Sequence, residues 1–346
     1  MRLAVDVMGG DHAPDAIVKG CLDALTVIGP DDELVLVGQR PVIEDIIAER
    51  GVNDPRIVIE HTPDVIAMDE APVEAVRAKP NSSLVRMAML GSARKSANPV
   101  DVVISAGSTG ACVSAATMYM KRLPGVHRPG IACAIPTLSG PVVICDVGAN
   151  PEPRPTHLAQ YAIMAEVYAN KVLGIARPRV AQMNIGSEEG KGTDMVKEVR
   201  NLLRAVPDLN YVGYIEGRDL FDGAADVIVT DGFVGNTMLK LVEGLAKSLF
   251  KAIAHELFTR DPNLAMSLQP HFAELFRKND YHEFGGAPLL GVNGGCFICH
   301  GSSEARTIKA AIRVAREHVA RGVNPAIVER LERAESAHPL PQGEPA

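Results

Sequence analysis

Polar side chains that could hold a small anion stand directly after short apolar segments of the sequence. They are Asp11, His12, Asn150, Lys191 and Asn236. The turn Ser108-Thr109-Gly110 stands in the same kind of place and offers backbone N–H groups, two hydroxyls and a helix N-terminus. Such N–H groups and helix N-termini favour a negatively charged ligand. The residues therefore outline a phosphate site.

Strand–turn–helix units would position these residues. Apolar segments run into glycine-containing turns at residues 8–14, 106–110, 146–150, 184–191 and 230–236. One such turn needs glycine and a capping Ser, Thr or Asp for structural reasons alone. Open parallel sheets, however, bind ligands at the carboxyl ends of their strands. Five turns with polar side chains favour a shared ligand cleft along one edge of the sheet.

Short β-branched segments alternate with helical patterns, which predicts an α/β fold with a large, mostly parallel sheet flanked by helices. We expect one catalytic domain over residues 1–336, with a projecting helical insertion at 234–284 and a disordered tail at 337–346. The predicted strands are Arg2–Asp6, Glu33–Val37, Ile57–Glu60, Asp101–Ser105, Ile131–Ile135, Val142–Asp146, Val180–Asn184, Tyr211–Ile215 and Asp226–Thr230.

The composition narrows the function classes. With 346 residues, 47% of them hydrophobic, the chain can bury a full core, so disorder is excluded as its main state. A net charge of −7 and the absence of Trp argue against nucleic-acid binding. The amino terminus lacks the long apolar region of a signal peptide, and the apolar stretch 131–149 is interrupted by Pro and Gly. We therefore expect a cytoplasmic protein without a membrane span.

Three short motifs match known patterns and are rejected. Cys296-Phe297-Ile298-Cys299-His300 has the spacing of haem attachment, but its apolar residues suit a strand, and one cysteine pair is too few for structural zinc. The segment Gly186–Gly192 resembles a P-loop but has the wrong spacing and lacks the Ser or Thr for magnesium. Asn81-Ser82-Ser83 is a glycosylation pattern that more simply caps a helix beginning near Leu84.

The predicted insertion contains an amphipathic helix. Its apolar residues recur at intervals of four, and Lys240, Lys247 and Lys251 add positive charge elsewhere. Such a stripe commonly faces a protein core or a dimer partner. Apolar residues at the tip, flanked by Arg260, Arg277 and Lys278, also allow binding to a membrane surface. The stripe consists of Leu241, Leu245, Leu249, Ile253 and Leu257.

Taken together, the motifs resemble those of the bacterial phosphate acyltransferases, the acyl-carrier-protein:phosphate transacylases of phospholipid synthesis. The resemblance spans residues 5 to 303. Val7 stands where the family commonly has Ala, and the Cys296–Cys299 segment is not part of its usual pattern. The matching segments are 5–14, 105–111, 146–150, 184–192, 215–219, 231–236 and 300–303.

The resemblance implies that inorganic phosphate attacks the thioester of a long-chain acyl group on acyl carrier protein. Phosphate is already charged and a thiolate leaves readily, so no metal and no cofactor are expected. We assign Lys191 to phosphate charge or the oxyanion, Asn236 to the thioester carbonyl and His12 to proton transfer to sulfur. Each residue has a structural alternative as a cap or turn former. The expected substrate and phosphate contacts are Gly9, Gly10, Asp11, Ser108, Thr109, Gly110 and Asn150.

The resemblance also implies a homodimer, peripheral association with an anionic membrane through Leu264 and Leu268, and hand-over of acyl phosphate to a membrane glycerol-3-phosphate acyltransferase. Its fold is related to isocitrate-type dehydrogenases and phosphotransacetylases. Two other functions stay open: a phosphotransacetylase-like enzyme that uses acyl-CoA, and a nicotinamide-dependent dehydrogenase. The sequence lacks the G-x-G-x-x-G pattern with a following acidic residue that dinucleotide binding favours.

Overall fold

The chain is built on an eleven-stranded mixed sheet in a computed structural model that describes residues 1–278 and 285–337. The strands are β1 Arg2–Asp6, β2 Glu33–Gly38, β3 Ile57–His61, β4 Val102–Ser105, β5 Gly130–Ile135, β6 Val142–Cys145, β7 Val180–Met183, β8 Tyr211–Ile215, β9 Val227–Val229, β10 Ala287–Leu290 and β11 Gly295–Ile298.

Helices follow most strands, as the alternating pattern predicts. A π-helical turn, Ala116–Met120, continues α5, and a short 3-10 helix spans Gly217–Phe221. The α-helices are α1 Asp15–Ala24, α2 Arg40–Glu49, α3 Pro72–Ala78, α4 Ser83–Leu90, α5 Thr109–Ala115, α6 Pro155–Lys171, α7 Asp194–Ala205, α8 Gly232–Arg260, α9 Pro262–Lys278, α10 Ala305–Ala320 and α11 Val323–Ala337.

The nine predicted strands are confirmed to within a residue at each end, and Ser82 caps α4 through its side chain as expected. Strand β10 was not predicted, because four residues that include Pro288 carry little strand signal of their own. The rejected haem motif lies mainly on β11, where Cys296 and Phe297 are buried. That segment therefore serves the core.

The strand directions divide the sheet into two parallel halves that run in opposite senses. The order is β3-β2-β1-β4-β11-β10-β5-β6-β9-β7-β8, and the pairs β11–β10, β10–β5 and β5–β6 are antiparallel. We call β3, β2, β1, β4 and β11 the first half and β6, β9, β7 and β8 the second half. The prediction that the glycine turns lie along one carboxyl edge of parallel strands is wrong, because the strands of the two halves run in opposite senses.

Helices cover both faces of the sheet and create three apolar clusters. In the first half, α1 packs against α10 so closely that a Cβ on Gly20 would lie 2.6 Å from the carbonyl oxygen of Ala305. In the second half, α6 is buried along most of its length, with Tyr161 fully enclosed. Full burial of a large apolar side chain contributes roughly 1.5–3 kcal/mol. These clusters hold the strand ends, and thus the polar turns, in fixed positions.

Helices α8 and α9 form an exposed pair, as the sequence predicts. Their contact surface encloses a small apolar space of about 80 Å³ lined by residues that include Phe250, Leu257 and Phe272. The stripe does not face the core of this chain, since Leu241, Leu245 and Leu249 are 66%, 62% and 56% exposed. Within the described residues, the helices are too short or too polar to cross a bilayer.

The predicted domain boundaries stay predictions. Residues 279–284 of the insertion and 338–346 of the tail lie outside the described part of the chain, as do the side chains of Arg277 and Lys278. Helix α11 includes Ala337, so ordered structure extends one residue into the segment that the sequence assigns to the tail.

Candidate active site

A buried carboxylate organises the turn after β6. Asp146 is 0% exposed and accepts hydrogen bonds from the backbone N–H groups of Ile131, Gly148, Ala149 and Asn150 at 2.7–3.1 Å. Burial raises the pKa of its carboxyl group, and the four N–H donors act in the opposite direction. Because the turn directs these N–H groups at Asp146, they are not available to an anionic ligand.

Helix α8 begins against this turn. The Asp231 side chain caps it by accepting from the N–H of Val234 at 2.8 Å. A Cβ on Gly235 would lie 1.9 Å from the carbonyl oxygen of Asp146, so only glycine permits this approach. One residue later, Asn236 lies against Gly148, and within the described residues its amide group has no hydrogen-bond partner. Near the start of α8, which follows β9, Asn236 therefore offers an amide donor that no described residue uses.

Asn150 is committed to other protein groups. Its Nδ2 atom donates to the carbonyl oxygen of Pro129 and to the hydroxyl of Tyr161, both at 2.7 Å. Its own carbonyl oxygen accepts from the N–H of Gly232 at 2.9 Å. Asn150 thus joins three segments around the site. Its two amide hydrogens are used, which favours a positioning role over direct contact with phosphate.

The loop after β7 presents Lys191. Buried Asn184 donates from Nδ2 to the carbonyl oxygens of Gly186 and Lys191 at 3.0 and 3.3 Å, which closes the loop on itself. The Lys191 side chain is exposed, and its ammonium forms no ion pair with a carboxylate of the described residues. Since β7 lies next to β9 in the sheet, Lys191 and Asn236 follow neighbouring strands of the second half.

A second buried carboxylate organises the first half. Asp6 is 1% exposed and accepts from the Ser105 hydroxyl at 2.8 Å and the Met8 N–H at 3.2 Å. Burial raises its pKa. Ser105 Oγ in turn accepts from the N–H of Gly107 at 3.0 Å. Asp6 and Ser105 thereby join the turns after β1 and β4. The two turns lie so close together that a Cβ on Gly9 would stand 2.8 Å from the backbone of Gly107, so only glycine fits at this position.

The turn Ser108-Thr109-Gly110 begins α5, as predicted. The Ser108 hydroxyl is buried and caps the helix by accepting from the N–H of Ala111 at 3.5 Å. The N–H groups of Thr109 and Gly110 have no acceptor among the described residues. The turn keeps two donors at a helix N-terminus, while the Ser108 hydroxyl has a structural use.

The turn after β1 presents Asp11 and His12 at the surface. The N–H of Asp11 donates to the carbonyl oxygen of Gly301 at 2.7 Å, and Gly10 adopts φ +120°, a conformation that favours glycine. Both the Asp11 and the His12 side chains are exposed. The motif near residue 300 therefore supports the first turn, and the His12 side chain is open to solvent.

The structure thus divides the predicted site residues into two groups. Lys191, Asn236 and Asn150 belong to the second half, whereas Gly9–His12 and the Ser108 turn belong to the first. Among the described residues no hydrogen bond or ion pair joins the groups. Sequence reasoning missed the residues that shape both: Asp6, Asp146, Asn184 and Tyr161. An aspartate at the end of an apolar run, followed by a glycine two or three residues later, was the signal that could have found the first two.

Comparison with known proteins defines the class to which this fold and site belong. The sequence model of a family described as fatty acid synthesis protein matches residues 1–326. The phosphate acyltransferase of Dictyoglomus turgidum is 43% identical over 336 residues, which cover 96% of this chain and 98% of that relative. The chain therefore belongs to the phosphate acyltransferase family. It is an acyltransferase enzyme.

Solved structures confirm the predicted fold class. A phosphotransacetylase from Streptococcus pyogenes aligns with a TM-score of 0.62 at 18% identity and covers 92% of this chain and 94% of its own. A 4-hydroxythreonine-4-phosphate dehydrogenase from Klebsiella pneumoniae aligns with a TM-score of 0.53 at 13% identity, covering 92% and 99% of the two chains. At these identities the likeness concerns the fold alone.

Proposed function

We propose that this enzyme transfers a long-chain acyl group from acyl carrier protein to inorganic phosphate, giving acyl phosphate and free acyl carrier protein. The observation that carries the proposal is that Lys191 and Asn236, which follow neighbouring strands, have an ammonium and an amide without a partner among the described residues. Acyl transfer to phosphate needs charge neutralisation and oxyanion donors more than it needs a strong base. The Lys191 ammonium supplies the charge neutralisation, and the Asn236 amide supplies a donor for the oxyanion.

In the proposed step, a phosphate oxygen attacks the thioester carbonyl carbon. Asn236 donates to the carbonyl oxygen as it becomes an oxyanion, and Lys191 offsets negative charge on the phosphate. The carbon–sulfur bond then breaks, and the proton of monohydrogen phosphate passes by way of His12 to the departing thiolate. Atoms and charge balance without an external base. Holding the two substrates together supplies a further part of the rate enhancement.

Sheet twist supports a single cleft between the two groups of site residues. Neighbouring strands rotate by about 20–25°, so the six steps from β1 to β9 turn the strand direction by roughly 120–150°. Because β9 also runs in the reversed sense, the carboxyl ends of β1 and β9 point to the same side, within roughly 30–60° of each other. We therefore place His12 and the N–H groups of Thr109 and Gly110 across the cleft from Lys191 and Asn236.

The acyl carrier and the fate of the product are also part of the proposal. The family description names fatty acid synthesis, which supports a fatty acyl donor. Acyl phosphate is a reactive mixed anhydride, so we propose hand-over to a membrane glycerol-3-phosphate acyltransferase that feeds glycerophospholipid synthesis. Acyl-CoA in place of acyl carrier protein is the second candidate donor, and the name and fold of the phosphotransacetylase neighbour favour it.

We further propose a cytoplasmic homodimer that associates peripherally with the membrane. Exposed Phe258, Leu264 and Met266 lie near the junction of α8 and α9, where they can enter an anionic bilayer, while Leu268 is only partly exposed. Lys240 and Lys251 add positive charge, whereas Lys247 pairs with Glu243 at 2.8 Å. The stripe of Leu241, Leu245 and Leu249 nearer the sheet suits a second copy of the chain.

Ligand-induced stabilisation tests the proposed substrate class. A ligand that binds only the folded protein raises its melting temperature as its concentration exceeds Kd. Phosphate and a stable acyl phosphate analogue should each raise the melting temperature of this protein, and NAD should not. A rise with NAD and none with phosphate would favour the dehydrogenase alternative instead.

A further inference from the structure

A cationic cavity lies beside the second-half site and is not used by the proposed step. Lys121, Arg122 and Arg128 line a space of about 560 Å³ between the end of the π-helical turn and β5, and no acidic residue of the described part of the chain lines it. All three are exposed, and within the described residues none of them forms an ion pair with a carboxylate. The chain as a whole is acidic, so this local excess of positive charge stands out.

Further positive charge comes from Arg154 at the start of α6. Burial, together with the positive charges of Arg128, His127, Arg154 and Arg122, lowers the pKa of His157 to about 4. The rings of His127 and His157 lie 6.2 Å apart. Arg122, Arg128 and Arg154 thus all lie close enough to His157 for their charges to disfavour its protonated form.

The cavity wall is held in a fixed conformation. Buried Gln160 accepts from the N–H of His127 and donates to the carbonyl oxygen of Gly125, both at 2.8 Å. The N–H of Leu123 donates to the carbonyl oxygen of Gly291 at 2.9 Å. The cations are thus presented on an anchored loop, as a preformed anion site requires.

The same loop leads directly into the site. The carbonyl oxygen of Pro129 accepts from Asn150 at 2.7 Å, and the N–H of Ile131 donates to Asp146 at 2.9 Å. Arg128 therefore directly precedes Pro129, to which Asn150 donates. The carbonyl oxygen of Asn150 in turn accepts from the N–H of Gly232 at the start of α8, the helix that carries Asn236. A ligand whose anionic group occupies the cavity could extend an uncharged arm toward Asn236.

We propose that Lys121, Arg122 and Arg128 bind the phosphate of the donor's phosphopantetheine arm, so that the arm delivers the thioester to Asn236. The inference rests on the proposed function and deepens it. Acyl carrier protein and coenzyme A both carry this phosphate on the same arm, and the cavity recognises the chemistry that they share. Arg and Lys side chains make charge-assisted hydrogen bonds to phosphate oxygens.

Competition against acyl-carrier-protein turnover tests the assignment, with 4′-phosphopantetheine and pantetheine as inhibitors. The phosphorylated compound should inhibit the wild-type enzyme at about tenfold lower concentration, the usual scale for one charge-assisted contact. In the variant K121Q/R128Q this advantage should fall to about threefold or less, because only Arg122 remains and its side chain also donates to the carbonyl oxygen of His127. The kcat at saturating thioester and the melting temperature should stay near normal. The KM for acyl carrier protein thioester, or for acyl-CoA if the enzyme uses it, should rise.

The charge-matched control is R50Q/K95Q, which removes two exposed cations, one directly after α2 and one in the loop after α4, and should keep the wild-type preference. Equal inhibition of the wild-type enzyme by the two compounds would overturn the assignment, as would a preference that survives undiminished in K121Q/R128Q. A rise in KM for the carrier protein thioester without any inhibitor preference would assign the cations to the carrier's protein surface instead. Failure of the wild-type enzyme to form acyl phosphate from any thioester would refute the proposed function itself.

Discussion

Asn236 lies so close to Gly148 that a Cβ on the glycine would stand 3.7 Å from Cγ of the asparagine side chain. Asp146 sets this relationship, because it binds the N–H of Gly148 at 3.1 Å while its carbonyl oxygen faces Gly235 on the first turn of α8. The buried carboxylate therefore fixes where the uncommitted amide of Asn236 is presented.

Removal of either uncommitted group should impair turnover and leave the fold intact. We expect Asn236→Ala and Lys191→Ala each to lower kcat by about a hundredfold or more, the scale for loss of one preorganised electrostatic contact. Steady-state assays and thermal unfolding check this expectation. Lys95→Ala, which removes an exposed lysine elsewhere, is the control and should be neutral. Near-normal turnover in both site variants would withdraw their assignment.

Asn150 should behave as a positioning residue, with an effect on stability as well as activity. Asn150→Ala leaves the buried Pro129 carbonyl oxygen with only a long 3.4 Å bond from the Tyr161 hydroxyl, and a poorly satisfied buried group costs up to about 1–3 kcal/mol. Tyr161→Phe keeps the bond from Asn150 to Pro129 and should cost less. Denaturant unfolding of the two variants measures the difference. A fully stable Asn150→Ala protein with lost phosphate binding would instead make Asn150 a direct ligand.

Stability should fall between pH 6.5 and pH 4, in part through His318. Burial lowers the pKa of this histidine from 6.5 to about 4 in the folded protein, although Asn324 favours its charged form. The unfolded chain therefore binds one more proton than the folded protein in this window, and the contribution is fully present above pH 6.5 and lost as the pH falls to about 4. One such proton gives a slope of at most about 1.4 kcal/mol per pH unit.

Unfolding free energies measured at several pH values check the role of His318. The variant His318→Gln cannot titrate, so its stability should depend less steeply on pH than that of the wild type between pH 6.5 and 4. Loss of packing against Phe297 would lower the free energy of unfolding by the same amount at every pH, so it would not affect this comparison of slopes. If the free energy of unfolding depended equally on pH in the two proteins, the proposed role of His318 would be contradicted.

The junction of α8 and α9 should mediate binding to anionic vesicles. Leu264→Glu combined with Met266→Glu places charge on side chains that are 44% and 60% exposed, and should abolish co-sedimentation with vesicles while activity on soluble thioester persists. We choose Met266 because Leu268 is partly buried in the helix pair. Leu138→Glu with Val212→Glu, at exposed apolar positions elsewhere, is the matched control. Unchanged sedimentation of the Leu264 and Met266 variant would give the pair a purely structural role.

The sequence predicted the strands and the residues at their ends because each strand is a local apolar segment bounded by glycine turns. It could not show that β10 and β5 reverse the sheet, since pairing between segments more than 150 residues apart leaves no local pattern. Nor could it show which donors are already used. Asn150 and Asn236 read alike in sequence, yet the amide of Asn150 is bound by two protein acceptors and that of Asn236 by none among the described residues.

The most direct test of the account is to incubate acyl carrier protein thioester with the enzyme, with and without phosphate, and to trap acyl phosphate as its hydroxamate. Thioester loss should require phosphate and should match hydroxamate formation, without added metal or nucleotide. Thioester hydrolysis at the same rate in phosphate-free buffer, or loss of thioester without hydroxamate, would contradict direct attack by phosphate.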